Sequence, residues 1–408
     1  MTNGSFQSIV PTRSVPQGIE LNKFKLPIVI DDDSEYLVEL ERMLRLFLTD
    51  IEQFHNVNEM IYGRTQENVD KILRAINCHY DGDIPTARQL IFEVLEPYKG
   101  NPFIISSLDD SPAFRGITRL KLEVQQAQQS NQEMSSELHP MAYQPLSFFK
   151  ARTGTEGFGK RDFLHIPFDK RGIVSTQRFS IAGVPCMYFG ASSYVSWLEL
   201  GKPADNEFNV SSYKVPGETK VLNLAITQHL INGLAAFNDD WLKDALSLIE
   251  LFPLIIATSY KVRDNNRSFK SEYIISQLVM QCLPLLDTEG VAYISKRVDD
   301  DSFNTPICVN VAVPMKKSNG KYSEFAKNIF LTEPVNYAEY KKILRFPASG
   351  SRIASFGSAI EQGITCLGKQ IPYQHHEFCA FDNYLVSEHH SPTILGKSKP
   401  LTHKMLVV

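Results

Sequence analysis

Arg178-Phe179, a glycine turn at Gly183, then Pro185-Cys186-Met187-Tyr188-Phe189-Gly190 and Ala191-Ser192-Ser193-Tyr194-Val195-Ser196-Trp197-Leu198-Glu199 read as an arginine, a buried strand and a helix in succession. The spacing sets Arg178 before the strand, Tyr188 on it, and the Glu199 carboxylate late in the helix. Each residue alone has a plain account. A tyrosine on an apolar strand is usually core, and a glutamate near a helix end before Gly201 is usually solvated.

Around this stretch the texture is one of short β-like runs at residues 146–151, 208–215, 220–224, 290–294 and 306–313. Helical patterns are interleaved at 193–201, 241–251 and 271–286. The two alternate without the regular spacing of a doubly wound sheet, so the class is α+β. Upstream, Leu37, Leu40, Met43, Leu44, Phe47, Leu48 and Ile51 recur at three-and-four spacing, an amphipathic helix over 34–54 with Ser34 as N-cap. Helices at 66–80, 86–98 and 111–129 complete a small all-helical region.

The resulting division is a polar leader (1–33), an N-terminal helical domain (34–130), a linker (131–144) in the Gln- and Ser-rich segment after Gln125, an α+β domain (145–348) and an irregular tail (349–408). The chain has 408 residues, 43% hydrophobic and 22% charged, which excludes disorder and a collagen-like repeat. Its net charge of −4 argues against a surface built to hold a polyanion. Six cysteines without a C-x-x-C pair read as reduced thiols. The polar start lacks a signal-peptide pattern, and the apolar stretch Leu248 to Ala257 is broken by Glu250 and Pro253 and too short for a bilayer. These features set the expectation of a cytoplasmic protein with no membrane partner.

Three further motifs carry less. Gly154-Thr155-Glu156-Gly157-Phe158-Gly159-Lys160 fits a phosphate loop, but Arg161 stands where the Mg²⁺-ligating hydroxyl belongs and Pro167 follows too soon for a helix. Arg74 and His79 resemble in spacing the metal-independent RNase motif of HEPN domains. His375-His376, Cys379 and His389-His390 match no tetrahedral metal spacing. By contrast, residues 150–178 hold seven basic side chains against three acidic ones, a surplus suited to a pyrophosphate.

The ordered set of motifs resembles the RES domain family. It begins at Phe148-Phe149-Lys150-Ala151-Arg152 and runs through Gln177-Arg178-Phe179-Ser180, Met187-Tyr188 and Trp197-Leu198-Glu199. It ends in Ser271-x-Tyr273-x-x-Ser276-Gln277, Gly290-Val291-Ala292-Tyr293-Ile294-Ser295 and the apolar strand before Pro314. The match covers roughly residues 145–314. It departs from the family at Thr176-Gln177, where many members have two glycines, and in a long insertion near 217–269.

The resemblance implies an ADP-ribosyltransferase-like fold and an NAD⁺ glycohydrolase that releases nicotinamide and ADP-ribose, with NAD as substrate and no metal. Its alternatives are an ADP-ribosyltransferase acting on a macromolecule and a HEPN-type RNase with a regulatory C-terminal domain. By resemblance, Glu199 stabilises the ribose cation, Arg152 and Arg178 grip the pyrophosphate, Tyr188 stacks on nicotinamide, and Ser295 bonds the nicotinamide side or orients Glu199. The setting implied is an intracellular toxin or phage-defence effector with an inhibitory antitoxin or an activating trigger. A homo-oligomer is allowed, and nucleic acid is not an expected partner.

Overall fold

The computed structural model describes residues 18–114, 146–235, 239–264, 267–298, 307–343, 363–366 and 369–392. The first elements are β1 (Ile28–Ile30), α1 (Tyr36–Glu52), α2 (Glu59–Tyr80), α3 (Ile84–Leu95) and β2 (Ile105–Ser107). Their starts are set by side-chain caps that replace unpaired backbone N–H partners. Asn58 accepts from Ile61 N at 3.0 Å ahead of α2, and Asp83 from Thr86 N at 3.2 Å ahead of α3. The cap expected of Ser34 belongs to Asp32, which accepts from both the backbone and the hydroxyl of Ser34 and opens a 3₁₀ turn leading into α1. Of the helix expected at 111–129, residues 115 onward lie outside the described residues, as does the linker 131–144.

The central portion runs β3 (Phe148–Thr153), β4 (Cys186–Gly190), α4 (Ser193–Glu199), β5 (Phe208–Lys214), β6 (Lys220–Asn223), α5 (Gln228–Ala235), α6 (Asp239–Ala257), β7 (Tyr260–Val262), α7 (Ile274–Cys282), β8 (Gly290–Ile294) and β9 (Val309–Pro314). After it come α8 (Glu324–Lys327), β10 (Phe330–Leu331), β11 (Val335–Asn336), α9 (Tyr337–Ile343), the hairpin β12 (Gly363–Cys366) and β13 (Lys369–Pro372), α10 (Glu377–Ser387) and β14 (Ser391–Pro392). Ten strands form one sheet in the order β14-β10-β5-β3-β4-β9-β8-β6-β2, with β11 also on β5. Every pairing in it is antiparallel except β6 with β8. The molecule is mixed α+β.

Alternation along the strands sends side chains to two faces. Phe148, Met187, Phe189, Tyr213, Val309, Val311 and Val313 pack on one face, under the coil that carries Phe163 and under α8. On the other face there are two separate helical layers. At the β6–β8–β9 end, Leu222, Val291 and Ala312 meet α1, α2, α3, α5, α6 and α7 in a single apolar cluster. At the β3–β5 end, Phe149, Phe208 and Val210 meet α4, α9 and α10.

The N-terminal helices are therefore not a separate unit. Phe24, Phe47 and Phe252 form an aromatic trio with centroids 5.2, 6.0 and 5.3 Å apart, joining the start of the chain, α1 and α6. Glu250 of α6 ties the same layer with polar bonds, its carbonyl accepting from Asn68 Nδ2 at 2.8 Å and its carboxylate from the Tyr98 hydroxyl at 3.1 Å. The insertion and the N-terminal helices each lack enough partners to bury an apolar face alone, so they bury one another. Nor are residues 18–33 a solvated leader. Leu21, Phe24 and Leu26 are buried, β1 lies parallel on β7, and Asp31 pairs with Arg263 at 2.6 Å.

The expected irregular tail is likewise part of the fold where it is described. Phe378, Phe381 and Leu385 of α10 are buried against Tyr337 and Tyr340, and β14 pairs with β10. Asp382 of α10 is buried, accepting from Ser193 N at 2.9 Å and from the Tyr373 hydroxyl at 2.6 Å. Burial raises its pKa to about 7 despite those bonds. A carboxyl whose folded pKa exceeds its unfolded value favours folding below the unfolded pKa, and that contribution is lost as pH rises through about 7. The melting temperature of Asp382→Asn relative to wild type is expected to climb between pH 5 and pH 8. A difference that stays flat would mean that the Asp382 carboxyl titrates alike in the folded and unfolded chain. Among the described residues no helix is long and apolar enough to cross a membrane.

Candidate functional site

The sheet splits between β3 and β4. The two share one pair, Phe149 with Gly190, after which β3 follows β5 from Lys150 to Thr153 while β4 follows β9 from Phe189 back to Cys186. A cavity of about 540 Å³ opens at this fork, lined from the helical face by Arg178, Tyr188 and Tyr293 and from the other by Asp162, Leu164 and His165 of the coil. That volume suits a small-molecule ligand.

Arg152, Arg178, Tyr188 and Glu199 all line it, so the structure brings together four of the five residues singled out in the sequence. Glu199 ends α4, where its exposed carboxylate accepts from Asn310 Nδ2 at 2.7 Å. Asn310 stands opposite both Gly190 of β4 and Tyr293 of β8, a polar side chain near the start of an otherwise apolar strand. Gly190 is required by packing. A Cβ there would lie 2.5 Å from Val195 Cγ1 and 2.9 Å from Ser196 Oγ, so only glycine lets α4 sit this close to β4. Gly190→Ala is expected to cost about 1–3 kcal/mol and to lift Glu199 away from Asn310. Denaturant unfolding checks the first, and the Glu199–Asn310 distance in a structure of the variant checks the second.

Arg178 is only 9% exposed. Its guanidinium donates to Thr258 O at 3.1 Å and Ile294 O at 2.7 Å, and lies over the rings of Tyr293 at 4.5 Å and Phe179 at 5.0 Å. Burial lowers its pKa, and Tyr293 and Glu199 oppose that shift. The fixed fork keeps further N–H donors for a ligand, since these two bonds use two of the five a guanidinium has. Arg152 is exposed, donating to Asp162 O at 2.6 Å over the Phe158 ring. The Tyr188 hydroxyl donates to Phe179 O at 2.9 Å, which holds the ring edge in the cavity wall.

Ser295 is placed differently. It is buried, not among the residues lining the cavity, and its hydroxyl accepts from Arg297 N at 3.1 Å. It shapes the turn after β8 that presents Lys296 and Arg297, both of which do line the cavity.

The walls also hold Lys150, Lys261, Asp162 and Glu272, giving six cationic side chains against three carboxylates. Lys150 donates to Phe163 O and Leu164 O, and burial with Arg152 nearby pulls its pKa to about 8. Cys186 is no thiolate, its pKa pushed to about 12 by burial. His165 is no free base: Nε2 accepts from Ser323 N at 3.0 Å, which leaves Nδ1 to donate to Ile166 O at 2.8 Å. Glu272, Tyr273, Lys296 and Asn310 were not singled out in the sequence for site chemistry. Asn310 carried a signal, an amide between two valines of a core strand.

The remaining motifs have structural partners. The glycine loop opens onto a 3₁₀ turn rather than a helix, with Lys160 bonded to Ser391 and paired with Glu333. Arg74 and His79 lie on α2, where His79 packs on Phe269. His376 caps α10, and among the described residues no group of three or more His, Cys, Asp or Glu is gathered as for a metal.

No family model matches the chain, and no solved structure matches it. Over 218 residues it is 32% identical to a protein of Bacillus subtilis (strain 168) named "Putative toxin YopC", an overlap of 50% of this chain and 49% of that protein. The chain thus spans about half the length of this curated relative.

Proposed function

We propose that this chain is an NAD⁺ glycohydrolase, of RES type with an ADP-ribosyltransferase-like fold, working at the fork between β3 and β4. The observation that carries the reading is the meeting of Arg152, Arg178, Tyr188 and Glu199, distant in sequence, on one cation-rich cavity. A dinucleotide needs cations for its pyrophosphate, aromatic surface for its bases and a carboxylate at the ribose whose bond breaks.

The C1′–N bond cleaves heterolytically. Nicotinamide leaves with the bonding pair as a neutral base, and positive charge develops on the ribose. Glu199, held by Asn310, stabilises that charge and accepts from the 2′-hydroxyl, an interaction strongest in the transition state. Arg178, locked by two carbonyls and two rings, positions the phosphates with little loss of side-chain freedom. Water adds to C1′ and loses a proton to solvent, giving ADP-ribose.

Uncontrolled turnover would deplete a cell of NAD. The name of the Bacillus subtilis relative supports a toxin role, and the cost of NAD loss to the cell calls for an inhibitory partner that holds it in check or a trigger that releases it. The second reading, transfer to a macromolecule, draws on the exposure of Arg152 and Glu199, which lets an acceptor larger than water approach. The test is chromatography of nicotinamide released from NAD labelled in the adenosine. Label in free ADP-ribose supports hydrolysis, label on protein or nucleic acid supports transfer, and no release from full-length protein under any condition that binds NAD rejects both.

A further inference from the structure

Lys296 follows Ser295 and lines the cavity beside Arg178. Its Nζ is buried and has no hydrogen-bond partner, with the Tyr273 ring 5.2 Å away. Of the two carboxylates that attract it, Glu199 bonds Asn310 through Oε1, and Glu272 bonds Arg267 Nη2 through Oε1 at 2.9 Å while its Oε2 is, like Lys296 Nζ, buried without a hydrogen-bond partner. A second buried cation, Arg178, acts on it by repulsion. Two buried cations side by side are costly unless an anion lies between them.

Resting on the nucleotide reading of the cavity, we infer that Lys296 and Arg178 form the site for the substrate's pyrophosphate, with Lys296 its second cation in place of the exposed Arg152. The groups acting on Lys296 are Arg178, Lys270, Glu272, Glu199 and Tyr273. Burial and Arg178 push its pKa well below the ordinary lysine value in the free protein. An arriving phosphate reverses that balance, so binding draws a proton onto Nζ. Anion capture and proton uptake are then one event, and Lys296 is where they meet.

The experiment is calorimetry on the full chain with inorganic pyrophosphate, ADP-ribose and nicotinamide riboside, each in two buffers of different ionisation enthalpy at pH 8. Wild type, Lys296→Met and Lys296→Arg are compared. Expected are proton uptake with pyrophosphate and ADP-ribose in wild type, and a loss of affinity of tenfold or more in Lys296→Met. Lys296→Arg is expected to keep affinity without proton uptake, being already charged. Nicotinamide riboside, which has no phosphate, binds wild type and Lys296→Met alike. Removal of a buried polar atom that has no hydrogen-bond partner leaves the melting temperature of Lys296→Met at or above wild type, which separates a binding defect from misfolding. Pyrophosphate affinity within twofold in Lys296→Met, or no proton uptake in wild type, overturns the proposal while leaving the NAD reading standing if ADP-ribose still binds. Lys296-dependent pyrophosphate binding with no affinity for NAD or ADP-ribose upholds the anion site and rejects the NAD reading.

Discussion

Glu199→Gln is expected to lower nicotinamide release by about 10²–10³-fold, the scale on which removal of a preorganised electrostatic group acts. The substitution is nearly isosteric, and its amide oxygen still accepts from Asn310 Nδ2, so the end of α4 keeps its place. Because Glu199 is exposed and buries no charge, the melting temperature and circular dichroism should match wild type. NAD affinity should change by less than the rate, since in the proposed mechanism the lost charge acts on a cation that exists only as the bond breaks. A variant that keeps more than about a tenth of the rate would move the chemistry away from Glu199, and the next carboxylates to examine on the cavity wall are Asp162 and Glu272.

The second large effect is on stability. Phe252 is fully buried between Phe24 and Phe47 in the layer shared by α1, α2, α6 and α7. Truncation to alanine should cost about 3–5 kcal/mol, the loss of an aromatic transfer energy plus the cavity left behind. The more telling outcome is where the loss is felt. One continuous core predicts that peptides from residues 36–95 and from 218–294 lose hydrogen-exchange protection together, whereas an independent N-terminal domain predicts loss confined to one of them. Mass-resolved exchange on the intact chain distinguishes the two, and separate unfolding would refute the shared core.

Local patterns were legible in the sequence and remote partnerships were not. The expected strands at 208–215, 220–224 and 290–294 fall within a residue or so of β5, β6 and β8, because apolar β-rich runs bounded by turns report their own conformation. The strap at 18–33 was hidden because Leu21, Phe24 and Leu26 are separated by polar residues and are held in part by helices more than 200 residues away, as the bonds of Leu21 to Asn232 and Phe24 to Gln228 show. Two-residue strands such as β10 and β14 carry no periodicity to read.

The site divides the same way. Arg152, Arg178, Tyr188 and Glu199 were found as an ordered set. Lys296 was not, because its meaning lies in what surrounds it: a buried lysine nitrogen without a hydrogen-bond partner is a three-dimensional fact. Ser295 was assigned to the ligand from its position in the motif, yet its hydroxyl is turned to the backbone of its own turn.

The parallel pairing of β1 with β7 sets a clock on biosynthesis. Asp31 leaves the ribosome 232 residues before the Arg263 it will hold, and at roughly 5–20 residues per second that interval is about 10–50 s. The cavity is later still, since β9, which supplies Asn310 and lies between β4 and β8, is among the last strands needed. A nascent chain long enough to expose Arg178 and Glu199 thus has neither the floor nor the anchored wall of the site. If the finished protein consumes NAD, the topology itself postpones that activity until synthesis has passed residue 310, and a partner that binds the early-emerging helices has the whole of that delay in which to arrive.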